Sequence, residues 1–226
     1  MCETLFQKVP ETLDLELLLI GDDYPNIEDD LAPILEPIGI KYTFANINEN
    51  NALRNMDANA TLKWQHACTR SLIYGFKTAL KRNFSHVITF SDDDYYDHDY
   101  LSVMSRAIYS IPSVDLVFGF GSWKDEWIMP RFYSNQWSAN SPTSFDTIAS
   151  GIMFRSQNVM FIEDIIHKLE SAWDAVITNL DEEHKPNDAI MWDHLKPKFS
   201  SGKYTSFLIP RVIVHHDTEQ TIHNNI

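Results

Sequence analysis

The chain has 226 residues, 44% of them hydrophobic, and a formal net charge of -14. This composition excludes an intrinsically disordered chain, and the length suits one α/β domain or two small ones with a sizeable core. The charge argues against binding nucleic acid or anionic membrane, since both require clustered Lys and Arg, but a divalent cation would allow an anionic substrate.

In chain order, the first half alternates short apolar runs with helical patterns. Strands are predicted for Leu15 to Ile20, Ile38 to Ala45 and His86 to Phe90. Before the third strand, apolar residues recur at every fourth position and predict a long helix. Its apolar stripe consists of Trp64, Cys68, Leu72, Phe76 and Leu80. This alternation is typical of a mostly parallel sheet flanked by helices.

The rest of the chain mixes its elements. Helices are predicted for Asp99 to Ile111, for the stretch ending near Thr178, and for a short segment beginning near Asn187. Extended segments are predicted at residues 115–121, 150–155 and 205–216, and Pro210 in the last of them indicates an edge position or a break. No internal repeat or linker interrupts the chain, so residues 1–226 are predicted to form a single domain.

The cysteines and the amino terminus indicate the cellular compartment. Cys2 and Cys68 form neither a disulfide framework nor a zinc-binding spacing. The sequence shows no signal-peptide pattern and no run of about 18 apolar residues. A cytoplasmic protein with at most peripheral membrane contact is therefore expected.

Three consecutive carboxylates, Asp92, Asp93 and Asp94, directly follow the apolar run at residues 86–90. Like charges so close together are tolerated when they are solvated, hydrogen-bonded or neutralised by a cation. Ligands of open α/β sheets bind at the carboxyl ends of strands, and carboxylate oxygens suit Mg²⁺ or Mn²⁺, which commonly bridge to phosphates. The alternative is an acidic turn that caps the following helix.

The segment from Ile88 to Leu101 closely resembles the Asp-x-Asp region of glycosyltransferases with the GT-A fold, family 2 in particular. The resemblance implies a Rossmann-like, mostly parallel central sheet flanked by helices, with a mixed second half. It also implies a nucleotide-diphospho-sugar donor and a Mn²⁺ or Mg²⁺ cofactor. Asp94 would bind the metal, while Asp92 and Asp93 would contact the donor.

Two upstream segments extend this resemblance. Residues 16–25 are similar to the family's second strand, whose terminal carboxylate contacts the nucleotide base, and Asp22 matches that position best. The helix containing Arg70 and Gly75 is similar to the family's Ala-Arg-Asn-x-Gly helix, with Ser71 in place of the Asn. Arg70 would then face the donor, and residues 1–121 would form the nucleotide-sugar half.

Two downstream segments match more weakly. Asp188 lies where inverting members of the family have a general base, although a carboxylate in a first helical turn is also favoured by the helix dipole. His215 lies where a histidine often completes the metal or diphosphate site. Alternation along the strand sends His215 and His216 to opposite faces, so at most one of them can bind the metal, and the family pattern favours His215.

Residues 122–226 would form the acceptor-binding half, and an aromatic-rich stretch opens it. Trp123 and Trp127 belong to this stretch, and aromatic faces commonly stack on sugars in acceptor clefts. They are the acceptor-binding candidates, and the alternative is a small core beneath a long loop. A glycan or another hydroxyl compound is the expected acceptor.

One departure from the family concerns the start of the chain. Members normally begin with a strand and a helix before the segment matched at residue 16, and residues 1–14 are too short to supply them. Either the chain is truncated, or its base pocket is built differently. The hypotheses are therefore an inverting, metal-dependent glycosyltransferase of glycan or surface polysaccharide synthesis, a nucleotidyltransferase using the same acidic dyad, and a degenerate sugar- or partner-binding domain.

Overall fold

The computed structural model describes residues 11, 13–47, 56, 58, 60–91, 94–123, 126–128, 151–180 and 187–216. These ranges contain both strands and helices, which confirms the α/β class. The elements in chain order are β1 (Glu16–Gly21), α1 (Ile27–Leu35), a 3-10 turn (Glu36–Ile38), β2 (Lys41–Asn46), α2 (Ala60–Lys81), β3 (His86–Thr89), β4 (Asp94–Tyr96), α3 (Tyr100–Ser110), β5 (Leu116–Trp123), β6 (Glu126–Ile128), β7 (Ile152–Arg155), α4 (Val159–Thr178), α5 (Asn187–Ser200) and β8 (Ser206–His216).

The described strands form two sheets. β1 and β2 are a parallel pair, and the larger sheet has the order β3-β7-β5-β8-β4, with β6 pairing on β5. In the larger sheet β5 and β8 run parallel, and the other described pairings are antiparallel. The prediction of a mostly parallel central sheet is therefore wrong for this part. Residues 90–93 are too few for the crossover that parallel neighbours need, so β4 is not a parallel neighbour of β3. It lies antiparallel to β8 at the opposite edge of the sheet.

The larger sheet is covered on both faces. Along β5, Leu116 and Phe118 pack into a core formed with α4 and α5. Val117, between them, packs into a second core formed with α3. This alternation places the helices in two layers, as expected for strands that are buried on both sides. In the described part of the chain, no helix is both long and apolar enough to cross a membrane.

The buried face of α2 differs from the predicted apolar stripe. Phe76 is fully buried, but Trp64 is 60% exposed, and Leu62 and His66 take the buried positions in the first turns. A strict spacing of four residues advances by about 40° per step relative to the helix, so over three steps Trp64 lies about 120° away from Phe76. The helix was predicted correctly, and its amino-terminal face was not.

Pro210 lies in β8, between β5 and β4, and not in an edge strand. Gly119 pairs with Ile209 and the next residue, Phe120, pairs with Val212, so Pro210 and Arg211 are extra residues in a bulge. A bulge removes the proline, which has no N–H, from the hydrogen-bond ladder. β8 continues from Ser206 to His216, so the structure accommodates the proline by a bulge, and neither a break in the strand nor an edge strand is found at this position.

Candidate functional site

Two of the four residues predicted to contact the donor, Asp22 and Arg70, lie in contact with each other. Asp22 directly follows β1, and Arg70 projects from α2. Arg70 Nη1 donates to Asp22 Oδ1 at 3.1 Å, and Nη2 donates to the carbonyl oxygen of Ile47, just after β2, at 2.9 Å. The side chains of Arg70 and Asp22 are only 19% and 11% exposed. The guanidinium therefore ties together the carboxyl ends of both strands of the small sheet.

The turn after β1 brings Asp22 to this position. A Cβ at Gly21 would lie 2.9 Å from Tyr24 Cβ, so only glycine allows the chain to turn this tightly. Asp23 adopts the left-handed conformation with φ 60°, which Asp tolerates better than most residues. Tyr24 N then donates to Asn46 Oδ1 at 3.1 Å, which fixes the turn against the end of β2.

His66, one helical turn before Arg70, is a buried neighbour of this pair that the sequence did not single out. Its side chain is 6% exposed, and its ring centroid lies 5.0 Å from that of Trp173 on α4. Burial, and then the positive charge of Arg70, lower the pKa of His66. The four-residue spacing from Arg70 was the available signal, and it indicates only a shared helix face.

Asp94 is the first residue of β4 and is 2% exposed. Its Oδ2 accepts a contact from the Tyr96 hydroxyl at 3.4 Å, and that hydroxyl accepts a hydrogen bond from Ser91 N at 2.9 Å. Asp92 and Asp93 lie outside the described residues. The last carboxylate of the acidic triplet is therefore buried at the start of β4.

His215 and Asp94 lie on opposite faces of the sheet. The register pairs Tyr95 with His215, and Asp94 with residue 216. Directly paired residues share a face and successive residues alternate, so His215 shares the face of exposed Tyr95. Its Nε2 lies 3.1 Å from Asp97 Oδ1. The expectation that Asp94 and His215 bind one metal together is therefore at odds with this register.

An ion-pair cluster that the sequence did not predict lies on that exposed face. Arg211 Nη2 lies 2.6 Å from both Asp97 Oδ2 and Asp99 Oδ1, and Asp97 also contacts His215. The Arg211 guanidinium holds the pKa of Asp99 below its usual range. The bulge in β8 displaces Arg211 from the ladder, so only the tertiary structure could place it here.

The carboxylate ligands that Asp94 and its sequence neighbours offer fit a hard divalent cation. Asp94 is a buried carboxylate, and Asp92 and Asp93 immediately precede it. Carboxylate oxygens are the preferred ligands of Mg²⁺ and Mn²⁺. The part of the chain that is described contains no group of three His, Cys, Asp or Glu side chains able to hold a metal. Asp92 and Asp93, outside the described residues, stay candidates for further ligands.

Asp188, the predicted general base, lies in the first turn of α5. Its Oδ1 accepts a hydrogen bond from Ala189 N at 2.8 Å. This is the contact expected of a carboxylate at a helix amino terminus, where backbone N–H groups lack intrahelical partners. This hydrogen bond fixes the Asp188 carboxylate at the helix end. The role of Asp188 as a general base stays a prediction.

The acceptor-binding candidates belong to a β-hairpin. Trp123 ends β5 and pairs with Glu126, and Trp127 in β6 pairs with Ser122. Both side chains lie outside the described part of the structure, so their contact with an acceptor stays a prediction.

None of the protein-family models matches this chain. The chain is similar to a protein of Acanthamoeba polyphaga mimivirus whose name describes it as an uncharacterized glycosyltransferase. The two are 22% identical over 216 residues, which cover 91% of this chain and 81% of the relative. The similarity therefore extends over nearly the whole described fold and not over the acidic motif alone.

Proposed function

We propose that this chain is a metal-dependent glycosyltransferase that moves a sugar from a nucleotide-diphospho-sugar donor to a hydroxyl acceptor. The observation that carries the proposal is the similarity over 91% of the chain to a protein named as a glycosyltransferase. The resemblance to the GT-A fold, seen on residues 88–101, is consistent with it. Glycan or surface polysaccharide synthesis is the proposed setting.

The donor would lie across the ends of β1 and β3. Asp22 would accept hydrogen bonds from the nucleotide base, and Arg70, held by Asp22 and by the carbonyl of Ile47, would present a fixed positive charge to the diphosphate. A guanidinium suits this task because its planar donors match phosphate oxygens. The side chains are already held in place, so little conformational entropy is lost on binding.

The acidic triplet would hold the cation. The proposed ligands of the cation are Asp94 together with Asp92 or Asp93. When bound, Mn²⁺ or Mg²⁺ supplies positive charge that stabilises the departing nucleoside diphosphate. Burial of Asp94 keeps its carboxylate out of bulk water, which strengthens its attraction for a cation.

Transfer requires an acceptor hydroxyl to be deprotonated as it attacks. The hydroxyl oxygen would bond to the anomeric carbon while the bond from that carbon to the diphosphate oxygen breaks. Asp188 is the proposed base that takes the hydroxyl proton, with inversion at the anomeric carbon. Trp123 and Trp127 are proposed to stack on the acceptor. The proposal also assigns donor binding to residues 1–121 and acceptor binding to residues 122–226.

Calorimetry tests the proposal. A panel of nucleoside diphosphates is titrated with and without Mn²⁺ into the protein and into Asp94→Ala. Asp174→Ala, which removes an exposed carboxylate on α4, is the matched control. Binding that requires Mn²⁺ and is lost only in Asp94→Ala supports the proposal, and binding without metal dependence contradicts it. Incubation with nucleotide-diphospho-sugars then tests for sugar transfer, which releases a nucleoside diphosphate. Incubation with nucleoside triphosphates and sugar 1-phosphates tests for nucleotidyl transfer, which releases pyrophosphate.

A further inference from the structure

Tyr96 connects Ser91 to Asp94 through its hydroxyl. Its hydroxyl accepts from Ser91 N at 2.9 Å and donates to Asp94 Oδ2 at 3.4 Å. Ser91 directly precedes the triplet, and Asp94 is its last member. The second distance is that of a weak hydrogen bond, but the side chain is 3% exposed, so water does not compete freely for it.

The ring of Tyr96 is held in place on several sides. It packs edge-on against Phe90, with centroids 5.0 Å apart, and against Tyr100, with centroids 5.2 Å apart. Gly151 lies close to the ring: a Cβ at that residue would be 3.5 Å from Tyr96 Cε1 and 2.3 Å from Val214 Cγ2. Because the ring is packed on these sides, the Tyr96 hydroxyl is held in one position.

We propose that Tyr96 is a positioning residue, which orients the Asp94 carboxylate for a divalent cation. The inference rests on the proposed function, because it assumes that the triplet binds the metal. Groups that hydrogen-bond to metal ligands fix their orientation, and their removal typically weakens metal affinity 10–100-fold. Because the bond to Asp94 is long, we expect an effect of about 10-fold.

Variants of two neighbouring tyrosines distinguish the positioning role of Tyr96 from a role in packing. Tyr100 is fully buried in the same aromatic cluster, and its hydroxyl has no hydrogen-bond partner among the described residues. Tyr95 is 43% exposed and lies on the other face of β4. Tyr100→Phe thus removes a buried hydroxyl from the cluster, and Tyr95→Phe removes an adjacent hydroxyl from the same strand, with neither change touching Asp94.

The test is a Mn²⁺ titration followed by electron paramagnetic resonance, with the thermal midpoint of each variant measured in parallel. We expect Tyr96→Phe to raise the Kd for Mn²⁺ about 10-fold and to alter the spectrum of the bound ion. Tyr95→Phe and Tyr100→Phe should stay within about twofold of the parent protein. These readouts do not depend on turnover, and a purely structural role would change the thermal midpoint but not the spectrum.

The outcomes distinguish this inference from the function on which it rests. If the parent protein binds Mn²⁺ and Tyr96→Phe binds it equally well, the positioning role is overturned and the proposed function stands. An equal loss in Tyr100→Phe also overturns it, because packing would then explain the effect. If the parent protein does not bind Mn²⁺, the metal-dependent function fails, and the positioning role fails with it.

Discussion

Arg70 on α2 and Asp22 at the end of β1 are 48 residues apart in the sequence and form an ion pair at 3.1 Å. Arg70 also binds the carbonyl oxygen of Ile47 beyond β2. One guanidinium therefore fixes a helix to the ends of two strands. It does so at the position where the sequence predicts the nucleotide of the donor.

Removal of the guanidinium should affect both stability and binding. We expect Arg70→Ala to lower the free energy of unfolding by about 1–3 kcal/mol, because the largely buried Asp22 loses a charged partner. Nucleoside diphosphate binding, measured by calorimetry, should weaken at least 10-fold. Lys77 is on the same helix as Arg70 and forms an exposed pair with Glu170 on α4, and Lys77→Ala should cost less than about 1 kcal/mol. Equal effects in the two variants would refute a special role for Arg70.

The register of β4 and β8 leads to a prediction about the two histidines. Residue 216 is paired with Asp94, whereas His215 contacts Asp97 on the other face. We expect His216→Ala to weaken Mn²⁺ binding, and His215→Ala to leave the Kd within about twofold. A Mn²⁺ titration of the two single variants measures this. The reverse result would restore His215 as the metal ligand.

Asp188 can be separated from an ordinary helix residue by comparison with Asp193 on α5. Asp188→Asn should keep the helix-end hydrogen bond to Ala189 N but lose the proton acceptor. If Asp188 is the base, kcat should fall about 100- to 10,000-fold with little change in donor affinity. Asp193→Asn, an exposed position, should keep near-normal kcat. A kcat for Asp188→Asn equal to that of Asp193→Asn would exclude the assignment.

Gly151 and Gly202 have nearly the same left-handed backbone, with φ of 68° and 74°. A Cβ at Gly202 meets open space, whereas at Gly151 it would lie 2.3 Å from Val214 Cγ2. We expect Gly202→Ala to lower the free energy of unfolding by about 1–2 kcal/mol through backbone strain. Gly151→Ala should cost about 1–3 kcal/mol more through overpacking. Chemical denaturation measures both, and Val214→Ala should restore part of the extra loss in Gly151→Ala.

The stability of the protein should fall as the pH decreases from about 6.5 to about 4, in part because of His86. Burial, and then the charge of Arg155, lower the pKa of His86 from 6.5 to about 4. In this window the unfolded chain binds a proton that the folded protein does not, so acid favours unfolding. The contribution is on the order of 2 kcal/mol.

His86→Phe measures the contribution of His86, because Phe keeps the edge contact with Tyr109 but does not titrate. Thermal unfolding of both proteins between pH 7.5 and 4 should show a smaller decrease for the variant. The contributions of His66 and His194, whose pKa values are also lowered, are common to both proteins. Identical pH profiles would contradict this prediction, because they would show that the pKa of His86 is the same in the folded and unfolded states.

The residues of the candidate site could be predicted from the sequence to the extent that their signals are local. The acidic triplet follows a short apolar run, and the structure places Asp94 at the start of β4, with four residues between it and the end of β3. Asp22 and Arg70 were predicted from separate segments, but their contact was not. Tyr96 and Arg211 carried no signal, because their roles depend on the partners that β4 and β8 bring to them.

By itself, the sequence determined the α/β class and the positions of most elements, because side-chain periodicity is set by the local geometry of helices and strands. The tertiary structure decided which strands pair, in which direction and in which register. It therefore decided that Asp94 lies opposite residue 216 and that Pro210 lies in a bulge of an inner strand. The physical reason is that pairing is selected by burying both faces of the sheet at once, which depends on residues far apart in the chain.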